Sequence, residues 1–73
     1  MTYYERLLDW LLAERAEQWH RLQQHHRLAH AADVALVQKE TGRIMESARR
    51  QLIAELDQEI QRARDAIAGL PPP

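Results

Sequence analysis

His20, His25, His26 and His30 fall close together and are all the histidine the chain contains. The spacing His26-x-x-x-His30 sets two imidazoles one turn apart on a single helix face. That is a chelating arrangement for zinc, copper or nickel, and Asp33 follows about one turn later on nearly the same side. Three such ligands would make an open metal site, with zinc or nickel as the ion. A plainer reading competes with it. Any His-rich helix of moderate length contains such a pair, and these residues then serve as polar groups at the edge of a helical core. In a tight hairpin Asp33 would come opposite Arg49 or Arg50, which supplies a charge partner. The same imidazoles, near a partly buried stripe, would make assembly sensitive to pH. Glu17-x-x-His20 matches the short motif with which four-helix bundles hold two irons. Both side chains lie off the main apolar stripe, however, and the second half of the chain offers Glu46, Glu55 and Glu59 with no further histidine.

Nucleophilic chemistry has no foothold. The aliphatic hydroxyls are Thr2, Thr41 and Ser47, cysteine is absent, and no glycine-rich elbow or phosphate loop surrounds any of them. The expectation is a non-enzyme with no cofactor beyond the zinc or nickel reading. Acids and bases nearly balance, 11 against 10, for a net charge of -1. Arg43, Arg50, Arg62 and Arg64 could face RNA, as in small hairpins that dimerise into RNA-binding four-helix bundles, but Glu46, Asp57 and Asp65 are interspersed and cancel much of the field. The composition therefore does not call for nucleic acid. No apolar run approaches the ~20 residues of a membrane span. The start Met1-Thr2-Tyr3-Tyr4-Glu5-Arg6 lacks a signal-peptide pattern, so a cytoplasmic location is the expectation.

These residues must be positioned by helices. Thr2 followed by Glu5 fits a capping box. From there to Glu40 no proline or glycine intervenes, and Leu8, Leu11, Leu12, Trp19, Leu22, His26, Ala29, Asp33, Leu36 and Val37 recur at helical spacing. The reading is one long helix over 2–40. Thr41-Gly42 is the candidate break, and phase supports it. A straight continuation would put Ile44, Gln51, Glu55, Gln58 and Arg62 on the apolar face, whereas the second stripe is Met45, Ala48, Leu52, Leu56, Ile60, Ala63 and Ile67. A turn at 41–43 lets a second helix, 43–68, fold back. Gly69 then ends it in the left-handed conformation, Leu70 packs back, and Pro71-Pro72-Pro73 leave an extended tail over 70–73 that is minimal as a polyproline ligand.

The chain reads as one all-α domain over 1–73, a coiled-coil-like antiparallel two-helix hairpin. Folding costs about 1.5 kcal/mol of conformational entropy per ordered residue. With no disulfide available, such a pair should dimerise into a four-helix bundle. Its dimer and core residues are Leu8, Leu12, Trp19, Leu22, Leu36, Val37, Met45, Leu52, Leu56, Ile60 and Ile67. Because the first helix is read as the longer, its start should overhang. There Tyr3, Tyr4, Leu7, Trp10, Leu11 and Glu14 form the expected docking segment, since Tyr3, Leu7 and Trp10 look to a different side from the main stripe and aromatic side chains dominate binding hot spots. That second side continues weakly through Leu28, Ala32 and Ala35. Surface binding to a membrane is disfavoured by Glu5, Asp9, Glu14 and Glu17. The expected function is a small protein-interaction module, an adaptor, inhibitor or assembly subunit, pairing with itself and with a larger protein. A metal-binding bundle and an RNA-binding regulator stay open as alternatives.

Overall fold

In the computed structural model, which describes residues Thr2 to Gly69, two helices pack against each other as an antiparallel hairpin: α1, Tyr3–His30, and α2, Leu36–Ile67. There is no strand among the described residues. Helix α1 starts where the sequence marks it. Thr2 is extended (φ -77°, ψ 167°), its hydroxyl oxygen accepts the Glu5 N–H at 3.3 Å, and the hydroxyl in turn donates to Glu5 Oε1 at 3.0 Å. This is a cap of the Thr-x-x-Glu kind in which the carboxylate reaches the hydroxyl. At the other end Gly69 adopts φ 74° and donates its N–H to the Ala66 carbonyl at 3.2 Å, so α2 stops at a left-handed glycine as expected. Leu70 and the three prolines lie outside the described residues.

The turn is not at 41–43. Helix α1 ends ten residues earlier than position 40, and α2 begins before Gly42 rather than after it. Ala31 (φ -71°, ψ 137°) and Ala35 (φ -65°, ψ 152°) are both extended and bracket a connection over 31–35 built from Ala31-Ala32-Asp33-Val34-Ala35. No residue there needs a positive φ, so the turn carries neither glycine nor proline and leaves no breaker in the sequence. Gly42 has a different task. It is buried inside α2, and a Cβ built on it would meet the Ala29 backbone N at 2.8 Å, the Ala29 Cα at 3.1 Å and the His25 carbonyl oxygen at 3.1 Å. The glycine lets the two backbones touch, and Ala29, 2% exposed, is its small counterpart.

Moving the turn shifts the register of everything beyond it. Arg15 meets Asp57, Gln18 meets Arg49 and His26 meets Glu46. The end of α2 now reaches the beginning of α1. Leu11, Leu56, Ile60 and Ala63 form the main core cluster, with Leu7, Leu8 and Leu52 packed on it. The expected overhang of α1 therefore does not exist; α2 is the longer helix, 32 residues against 28. Branched and leucine side chains fill the end where the termini lie, while small residues make the contact near the turn. Leu22 is buried between the two regions, as is Ile53, which the stripe read from sequence omitted.

Candidate functional site

The buried line of α1 runs through Leu11, Gln18, Leu22 and Ala29, and that of α2 through Gly42, Ile53, Leu56, Ile60 and Ala63. In an antiparallel pair the residues flanking these lines divide into two broad faces. One face is marked by polar contacts between helices. Arg15 pairs with Asp57 and lies 5.7 Å over the Trp19 ring, and a shallow groove of about 180 Å³ is lined by Trp19, Arg50, Ile53, Ala54 and Asp57.

Nearer the turn on the same face is the histidine cluster. Glu46 accepts from His26 Nδ1 at 2.9 Å and from Arg50 Nη2 at 2.9 Å, and its second oxygen is 3.9 Å from His30 Nε2. The two imidazole rings lie 4.4 Å apart between centroids, tilted by 43°. Ligand atoms from His26, His30 and Glu46 all lie within 4.8 Å of one another. The hydrogen bond from His26, then that from Arg50, holds the Glu46 carboxyl below its ordinary 4.5. Asp33, proposed as the third ligand, is corrected: it sits exposed in the turn, and it faces neither Arg49 nor Arg50. Glu46 takes its place because the turn at 31–35, in place of 41–43, brings α2 back beside His26. His20 and Glu17 are exposed, and Glu17 accepts from Arg21 at 3.1 Å.

The opposite face carries the other candidate surface. Tyr3 and Trp10 are 71% and 60% exposed on α1, and Val37 and Ile44 are 76% and 67% exposed on α2. Helical spacing puts Leu28 and Ala48 on this side as well. Tyr4 packs edge-on against Tyr3 with ring centroids 5.3 Å apart. Of the expected docking residues, Tyr3, Tyr4 and Trp10 are therefore open. Leu7 is half-buried on the core, Leu11 is wholly within it, and half-buried Glu14 accepts from Gln18. Of the expected core residues, Leu22, Leu56 and Ile60 are buried, and Leu8 and Leu52 are half-buried. Leu12, Trp19, Leu36, Val37, Met45 and Ile67 remain at the surface of the single chain. For Leu36 and Val37 the reason is the turn: they open α2 instead of closing α1.

Gln18 belongs to the buried line of α1, although its polar type keeps it off the apolar stripe of the sequence. It lies on the buried line between Leu11 and Leu22 and is 4% exposed. Its amide donates to Glu14 Oε1 at 2.8 Å and its oxygen accepts from Arg49, so both ends are satisfied. No protein-family model matches this chain, and no match is found among curated proteins or solved structures.

Proposed function

We propose that this chain is a non-enzymatic protein-interaction module, an adaptor, inhibitor or assembly subunit, which works by adding its layer of two helices to a second helical layer. The observation that carries the reading is the shape. The molecule measures 51 × 24 × 12 Å, so its thickness is about that of one helix. Stable domains stack at least two layers around a core, and a compact chain of this length would have a radius of gyration of about 11 Å. Here it is 16.2 Å. Both broad faces thus lack a covering layer, and one of them displays Tyr3, Trp10, Val37 and Ile44.

A second copy is the occupant that fits best. A like hairpin presents the same length and the same apolar side, and the near-balance of charge means that two copies do not repel strongly. Two such layers make a four-helix bundle. Tyrosine and tryptophan bury large rigid areas at small rotamer cost, which suits them to the centre of such a contact. A larger protein partner would compete for the same side.

The test is thermal unfolding over a range of protein concentrations. Pairing linked to folding raises the melting temperature as concentration rises. Replacing Tyr3 and Trp10 together by alanine should flatten that dependence while leaving helical content nearly unchanged, because both side chains lie outside the hairpin core. A melting temperature indifferent to concentration in the parent chain would remove the reading.

A further inference from the structure

We infer that His26, His30 and Glu46 form a binding site for one divalent transition-metal ion of the zinc class, which ties the end of α1 to the beginning of α2. Two imidazole nitrogens and a carboxylate are a ligand set that zinc accepts with a fourth position left to water. The spacing is near what coordination needs. Bonds of about 2.0–2.2 Å in tetrahedral geometry separate ligand atoms by roughly 3.3–3.6 Å. In the chain Glu46 Oε1 lies 2.9 Å from His26 Nδ1 and Glu46 Oε2 lies 3.9 Å from His30 Nε2, and one ligand atom from each of the three residues lies within 4.8 Å of the others, so the side chains converge on one point and close on an ion by rotation at their ends.

The surroundings suit the task. Both histidines are more than half exposed, which gives the ion an entry path, whereas Glu46 is mostly covered and held in place. Arg50 donates to Glu46 Oε1 at 2.9 Å, and a ligating carboxylate oriented by a further hydrogen bond is the usual outer-shell arrangement. Coordination uses the neutral tautomer of His26 that carries its single proton on Nε2, which leaves the Nδ1 lone pair free for the ion. Small domains that cannot build a large core commonly rely on a staple, and this chain has no cysteine. The ion would supply one at the end of the hairpin that the leucine-rich core does not reach. All three ligands belong to one chain, so the site stands whether or not two chains pair.

The experiment is calorimetric titration of the untagged, EDTA-treated chain with zinc chloride, repeated with nickel chloride and with magnesium chloride. The expected result is saturable binding of one zinc or nickel ion per chain, no saturable binding of magnesium, and a higher melting temperature with zinc. His30→Ala and Glu46→Gln should each weaken zinc binding by at least about 10-fold, as loss of even an outer-shell partner does. His20→Ala should leave it unchanged. Both ligand variants alter side chains at the hairpin surface or edge, and circular dichroism checks that they stay helical. Absence of saturable zinc binding in the parent, or parental affinity in Glu46→Gln, would overturn the assignment.

Discussion

At Gly42 the two helices are in backbone contact, and two effects of opposite sign meet there. Alanine is favoured over glycine inside a helix by about 1 kcal/mol. A methyl group at Gly42, however, would lie 2.8–3.1 Å from backbone atoms of Ala29 and His25, none of which can swing aside. Forcing extra atoms into such a contact costs about 1–3 kcal/mol. Gly42→Ala should therefore lower stability, by roughly 1 kcal/mol net. Chemical denaturation measures it, and a gain would show that the backbones are not in contact. Glu46 makes a second residue-scale prediction. Its carboxyl is held below 4.5 by His26 and then Arg50, so the folded state favours the ionised form. The resulting stabilisation is complete above that pH and is lost as pH falls through the lowered value. Urea midpoints of the parent and of Glu46→Gln, measured in EDTA from about pH 6 to pH 3, should converge on acidification. A constant difference would mean that the pair contributes nothing through ionisation.

The two elements are largely legible in the sequence, and their junction is not. The capping residues at Thr2 and Glu5, the glycine stop at Gly69 and the leucine and isoleucine stripes all announce themselves by type and spacing. The connection Ala31-Ala32-Asp33-Val34-Ala35 has no such signal, because alanine is a strong helix former and no residue there takes a positive φ. Its position is set at long range, by where a glycine in one helix can meet an alanine in the other. A single misplaced turn then carried over to the candidate site, exchanging Glu46 for Asp33. The same junction explains why α2 starts poorly: Ala35 offers no side-chain cap and the first turn holds no acidic residue. Ala35→Ser places a capping hydroxyl three residues before Gln38, completing a capping box, and should raise stability by about 0.5–2 kcal/mol. If the helix instead ran unbroken to residue 40, the same change would sit in its interior and lower stability slightly. The sign of the shift in denaturation midpoint separates the two.

On the scale of the whole molecule the governing fact is that one layer of helices has two sides. The side with Arg15, Asp57, His26, Glu46 and Arg50 is crossed by polar contacts between the helices, with Trp19 part exposed beside Arg15. The side with Tyr3, Trp10, Val37 and Ile44 is where further burial is available, at about 25 cal/mol per Å² of apolar surface removed from water. A standard interface covers about 800 Å² on each partner, which a face of 51 × 24 Å accommodates. Sedimentation equilibrium of the purified chain across a wide concentration range tests this most directly. The expected mass approaches twice 8.6 kDa and returns to the single-chain value when Tyr3 and Trp10 are both replaced by alanine. A parent chain that stays at 8.6 kDa throughout would contradict it.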